Sequence, residues 1–219
     1  MFKGVFDESI LKRAQTTKKI KVNIYNIRDW SKDKHRKADD KPYGGGPGMV
    51  MSAQPIFDAV KKIKNMPRAK SRGRKAKVIL LCPQGKKLDQ KLAAKLSKHK
   101  HLILICGHYE GIDERVREGL VDEEVSIGDY VLTGGEIPAM VLVDTIARLI
   151  PGVLGHKDSN KQESFSADLL EYPQYTRPAV YKGLKVPQIL LSGNHSRIEM
   201  WRKDQAKKIT CKKRPDLIK

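Results

Sequence analysis

The chain is short of cysteine, of acidic residues and of long apolar runs, and each shortage excludes something. Its three cysteines, Cys82, Cys106 and Cys211, are far apart with no CxxC pair, which argues against both a disulfide framework and a thiolate zinc site. No HExxH motif occurs, so nothing local points to a catalytic transition metal. No apolar run approaches the roughly 18 residues that span a bilayer, and the opening MFKGVFDESILKRA lacks a signal-peptide core. A cytoplasmic protein with no membrane partner is expected. Two nucleotide signatures are absent as well: GGGPGM at 44–49 lacks the GK[ST] ending of a phosphate-binding loop, and no GxGxxG occurs.

Acidic residues number 25 against 44 Lys and Arg, a formal net charge of +19. That excess suggests a polyanionic partner. Its distribution is uneven. Between Lys61 and Lys77 there are nine basic and no acidic residues, and from Lys182 to Lys219 there are eleven basic against three acidic. A nearly balanced core flanked by basic segments fits a chemical centre with surfaces that grip nucleic-acid backbone, each neutralised phosphate releasing counterions.

What the chain has in quantity is α/β patterning. AKVILLC at 76–82 and HLILIC at 101–106 read as buried strands, and their unbroken apolar character suggests parallel neighbours. Between them Leu88, Leu92 and Leu96 recur at helical spacing. Residues 20–27, IKVNIYNI, alternate as a half-buried strand should. QPIFDAVKKIKNM predicts an amphipathic helix, and EIPAMVLVDTIARLI, at 136–150, an apolar one stopped by Pro151 and Gly152. After Pro151 the composition turns small and polar, as a linker would, and SRIEMWRKDQAKKI predicts a basic helix with Ile198, Trp201 and Gln205 near one face.

The most informative stretch is Ile105 to Met140, where two glycine-rich loops lie beside strands and carry Tyr109, Glu110, Asp129 and Tyr130. Glycines let a ligand approach main chain closely, so such loops suit a site lined by backbone.

Seven segments, DDKPYGGGPGMVM, CPQGKKLDQ, CGHYEGIDERV, SIGDYVLTGGEIPAM, RLIPGVLGH, LLEYPQYTRP and LLSGNH, together resemble the bacterial tRNA guanine-N1 methyltransferase family, in that family's order. The resemblance implies a SPOUT-type α/β fold: a parallel sheet with a C-terminal trefoil knot over 1–150, a linker over 151–176, and a small, truncated basic helical tRNA-binding domain over 177–219. It implies a homodimer whose active sites draw on both subunits. The implied reaction moves a methyl group from S-adenosylmethionine to N1 of the guanine 3′ of the anticodon in tRNA, maintaining reading frame, with no DNA partner. The alternatives are methylation of ribosomal RNA and RNA binding without catalysis.

The donor-binding residues implied are Pro83 and Gly85 in the first loop and Gly107, Tyr109, Glu110 and Gly111 in the second. The third supplies Ile127, Gly128, Asp129, Tyr130, Val131, Leu132, Gly134 and Gly135, with Pro138 following. Guanine N1 carries a proton at neutral pH, so transfer needs a carboxylate to remove it and a cation to meet the charge that spreads to O6. The family's base is usually Asp before a Ser-Phe pair. Here Glu163 precedes Ser164 and Phe165, one methylene longer, with Asp158 and Asp168 as alternatives. Arg148 matches the charge-stabilising arginine, and Glu110 and Glu163 would serve a weakly held Mg²⁺. The family ordinarily opens with a strand ending in LFPEMF and extends beyond KRPDLIK, so either a misassigned start or a missing first strand, and a shorter C-terminal helix region, are expected.

Overall fold

The computed structural model describes residues 1–66, 76–155, 163–165 and 168–218. The chain divides into two compact units, Met1–Leu154 and Gly155–Lys219.

In the first unit α1 (Lys3–Phe6) and α2 (Ser9–Thr16) lead into a 3-10 turn at Ile27–Trp30. A two-stranded antiparallel pair follows, β1 (Asp39–Asp40) with β2 (Val50–Met51), before α3 (Ala53–Lys64). The rest alternates: β3 (Lys77–Lys87), α4 (Gln90–Leu96), β4 (Leu102–Cys106), α5 (Glu114–Leu120), β5 (Glu123–Ser126) and α6 (Glu136–Ala147). The three long strands form a parallel sheet in the order β4-β3-β5.

Period-two alternation decides which side each residue faces. Val78 and Leu80 of β3 join Ile103 and Ile105 of β4 in a core with Ile56, Val60 and Ile63 of α3 and Val116 of α5. Ile79 and Leu81 face the other way, onto Leu92 and Leu96 of α4 and Leu142 and Ile146 of α6. The register Val78↔Ile103 and Leu80↔Ile105 keeps like faces together. Strands buried on both sides read as continuous apolar runs, and these do. A third cluster, Phe6, Leu11 and Ala147 with Phe2 and Val22 against it, fastens α1 and α2 to the end of α6.

The expected strand at 20–27 does not form. Its alternation survives only as half-buried Ile20 and Val22, while Ile24 and Tyr25 are exposed. A strand needs a partner ladder as well as a pattern; the Val22 amide instead donates to the Gln15 side chain at 3.4 Å.

The second unit contains a short hairpin, β6 (Val180–Tyr181) with β7 (Leu184–Lys185), then α7 (Gln188–Leu191) and α8 (His195–Lys213). Asn194 caps α8 by accepting from the Arg197 amide at 3.1 Å, replacing one orphan donor contact. Ile198, Trp201 and Gln205 are half-buried and Ala206 and Thr210 buried. The Leu170 amide donates to Thr210 Oγ1 at 2.9 Å, so part of the stretch expected as a linker packs within this unit.

Candidate active site

In the order β4-β3-β5, α4 carries the chain outward from β3 to β4 on one face, and α5 carries it from β4 back past β3 to β5 on the other. At such a switch point the carboxyl ends of the strands open into a crevice, the usual ligand position in α/β sheets. The cavity of about 350 Å³ lies there, lined by the ends of β3, β4 and β5 and the loops that follow them.

The first loop is a break in β3. Leu81 and Lys86 both register against Val125, so residues 82–85 bulge out of the ladder. A side chain at Gly85 would run into the backbone of Glu124 and Val125, which is why the turn-back needs glycine. Cys82 Sγ donates to Glu124 Oε2 at 3.0 Å, and Arg117 Nη1 holds the same oxygen at 2.6 Å. Burial, then the Glu124 bond, pushes the Cys82 thiol up from its ordinary value.

The second loop, after β4, is braced by the GGGPGM segment. The Glu110 amide donates to Met49 O at 3.1 Å, and the Met51 amide to Gly111 O at 3.0 Å. Tyr109 at φ 59° and Gly111 at φ 134° make the turn. The Glu110 carboxylate lies directly over Gly48, where a Cβ would displace it. Asp113 caps α5 and is held below the usual carboxylate range, first by its bond to the Arg115 guanidinium.

The third loop, after β5, closes back on the second. The Gly135 amide donates to Gly107 O at 2.8 Å, and His108 Nε2 lies 2.8 Å from Glu136 Oε1. Gly128 sits beneath the Tyr130 ring, where no Cβ fits. Pro138 falls in the first turn of α6, where its missing N–H costs no helix bond.

Thirteen of the expected donor-binding residues line this one cavity: Pro83, Gly107, Tyr109, Glu110, Gly111, Ile127, Gly128, Tyr130, Val131, Leu132, Gly134, Gly135 and Pro138. Two do not. Gly85 faces β5 main chain, and Asp129 points outward, paired with Lys87 at 2.6 Å. The wall also holds residues that sequence reasoning passed over, among them Cys82, Gln84, His108, Arg117 and Thr133. Gln84 and His108 lie inside quoted motifs and could have been found; Arg117, on an ordinary helix, gave no signal.

Arg148 is not at the cavity. It follows α6 at the end opposite Gly135, about 20 Å along the axis at 1.5 Å per residue. Glu163 belongs to the other unit, as does Asp168; Asp158 lies outside the described residues. Near Glu163, Ser164 Oγ accepts from the Glu171 amide at 3.1 Å and the Arg214 guanidinium stands 5.9 Å from the Phe165 ring centroid.

The whole chain, residues 1–219, matches the family model described as tRNA (Guanine-1)-methyltransferase TrmD. The chain belongs to that family. It is 55% identical to a tRNA (guanine-N(1)-)-methyltransferase of Bacillus pumilus (strain SAFR-032), covering 100% of this chain and 87% of the relative. Similar likenesses of 57% to the Dictyoglomus turgidum protein and 53% to the Bacillus subtilis (strain 168) protein of the same name cover 85% and 88% of those relatives. The family thus places a methyltransferase on a parallel sheet whose strand-end loops line the cavity. Among the described residues, no helix is long and apolar enough to cross a membrane.

Proposed function

We propose that this chain methylates N1 of the guanine 3′ of the anticodon in tRNA, with S-adenosylmethionine as donor bound at the switch-point cavity. The observation that carries the reading is a cavity walled by three glycine-rich loops at the ends of parallel strands, in a chain that matches the methyltransferase family from end to end. The residues fit the donor. Leu132, Ile127 and Pro138 offer apolar surface for an adenine, the loops offer amides and carbonyls, and Glu110 offers a carboxylate for the donor's amino group. When bound, the donor supplies an electrophilic methyl group on a sulfonium.

The chain's own residues would do the proton work. Glu163 takes the N1 proton, and the Arg148 guanidinium meets the charge that develops on O6. Arg148 stands too far along α6 to serve the cavity of its own chain, so this reading needs a homodimer in which it serves the partner's. The exposed apolar surface of Val131, Ile137 and Val141 beside the cavity supports that pairing. The knot expected of the SPOUT class belongs to the same reading, supported by the closure of the third loop onto the second.

The basic second unit would hold tRNA phosphates, Arg197 from the N-terminal turn of α8 and Lys203 from its surface; Arg202 instead stacks on Tyr172, 4.8 Å from its centroid. Glu110 and Glu163 are the candidate oxygen ligands for Mg²⁺, but the residues do not form a cage: among those described, no three His, Cys, Asp or Glu side chains gather to hold an ion. No step is routed through a metal. A cytoplasmic location fits a tRNA substrate.

The test is transfer of labelled methyl groups to anticodon stem-loops with and without the target guanine, beside ribosomal RNA fragments. Guanine-dependent labelling of the stem-loop is expected. No transfer with Mg²⁺ present, or transfer to ribosomal RNA alone, overturns the reading.

A further inference from the structure

The loop joining β1 to β2 carries a residue that the fold itself does not use. Its two ends are fixed: Asp39↔Met51 and Asp40↔Val50 pair across the ladder, and the Met49 and Met51 limb is bonded to the donor loop at Glu110, Gly111 and Asp113. Between these anchors Tyr43 is fully solvent-exposed, at 102% of its reference area. An aromatic ring with that exposure buries no apolar surface and contributes nothing to packing.

The residues after it are built for shape. Gly44, Gly45 and Gly46 have φ of 85°, 79° and 117°, and a Cβ on any of them would meet nothing within 4 Å. They are glycine for the positive φ alone. The Gly45 amide donates to Pro42 O at 3.4 Å, closing a turn that lifts Tyr43 to the loop tip. The loop is therefore an anchored turn, one limb bonded to a loop that lines the cavity, that presents one bare ring to solvent.

Its surroundings carry charge of both signs, with exposed Asp40 beside Lys41 and Asp113 beside Arg115. Arg115, 71% exposed, is held in a two-pronged bond to Asp113 at 2.8 and 2.6 Å. Asp113 raises its guanidinium most, and Tyr43 is close enough to add a smaller contribution. Lys41 precedes the turn and is exposed. A free aromatic face beside a planar guanidinium and an ammonium is the combination that takes up an unstacked base and its phosphate, since every base has a π-face.

We infer that Tyr43 is a stacking platform for a nucleobase of the RNA, positioning the nucleotide next to the methyl-accepting guanine. The assignment rests on the proposed tRNA reading and adds a substrate contact to it. Tyr43 exchanges no proton and forms no bond; it holds the loop of the RNA so that the target base reaches the cavity.

The experiment compares the full chain with Tyr43→Ala and Tyr43→Phe, using an anticodon stem-loop that carries 2-aminopurine beside the target guanine. Tyr43→Ala should weaken stem-loop affinity and raise its KM by about 5- to 150-fold, the range for one stacked base. Donor affinity by calorimetry, the melting temperature and the oligomeric state should stay as they are. Tyr43→Phe should bind like the unaltered chain, and both should quench 2-aminopurine where Tyr43→Ala does not. Equal RNA binding by Tyr43→Ala, or a change in donor affinity or oligomeric state, overturns the assignment. An unaltered chain that neither binds nor methylates the stem-loop overturns the tRNA reading instead.

Discussion

Gly135 stands so close to β4 that a Cβ on it would lie 2.7 Å from Cys106 Cα and 2.8 Å from the Gly107 amide nitrogen. Both obstacles are main chain, so neither can swing aside. The same residue donates its amide to Gly107 O at 2.8 Å, which makes it the clasp between the second and third loops.

Gly135→Ala should therefore force those loops apart. Overpacking of this kind costs about 1–3 kcal/mol, read as a lower midpoint in urea unfolding, and donor affinity by calorimetry should fall at least tenfold. Unchanged donor affinity would show that the clasp does not shape the cavity.

Glu163→Gln keeps the side-chain volume and removes the proton acceptor. Turnover should drop by about 100-fold or more, the usual contribution of a general base, while the affinities for donor and tRNA hold. Glu163→Asp, which restores the family's usual residue, should retain activity. Wild-type turnover in Glu163→Gln would move the role to another carboxylate.

Arg148→Ala should lower kcat by about 100- to 1,000-fold, as loss of one charge-stabilising donor does, with donor affinity intact. Because Arg148 would serve the partner's cavity, mixing this variant with a Gly135→Ala chain should restore part of the activity in mixed dimers. Failure of the mixture to exceed its two components would place both groups in one subunit.

Glu123 offers a pH test. Burial works against its charge, but the Lys77 ammonium at 2.7 Å, helped by Lys95 at 3.4 Å, outweighs this and holds the carboxyl below its ordinary value. A depressed folded value means that the stabilisation is complete above the unfolded value, about 4.3, and is lost as pH falls through the folded one. Glu123→Gln should cost about 1.5–3 kcal/mol at pH 7, the worth of a hydrogen bond to a charged group, and should flatten the acid side of the stability curve. An equal loss at pH 7 and pH 3 would contradict the pairing.

The thiols should differ in reactivity. Burial first, and Glu136 second, push Cys106 up to about 12, so almost no thiolate is present near neutrality. Cys211 is exposed. In native protein at pH 8, iodoacetamide should label Cys211 and spare Cys106, as peptide mass spectrometry would record; rapid labelling of Cys106 would mean that the end of β4 opens readily.

Much of this was legible in the residues. Apolar runs at 78–82 and 102–106 can bury themselves only between two helical layers, and the leucines of α4 have the matching period. The cavity-lining loops were visible because their glycines cluster with Tyr109, Glu110 and Tyr130 just after strands. The strand at 20–27 misled because alternation describes a face and says nothing of whether a neighbour is there to pair with. Arg117 stayed hidden for the opposite reason: its importance comes from Glu124 and Cys82, residues 7 and 35 positions away in sequence.

By itself, the sequence determined the strongly basic balance, a formal charge of +19, the alternation of strands with helices, and the glycine-rich segments that line the cavity. Those are local properties of composition and period. The tertiary structure decided that β5 lies beside β3 and not β4, that GGGPGM braces the second loop, and that α6 carries Arg148 away from the cavity of its own chain. These depend on which distant backbone groups meet, and no local pattern encodes that.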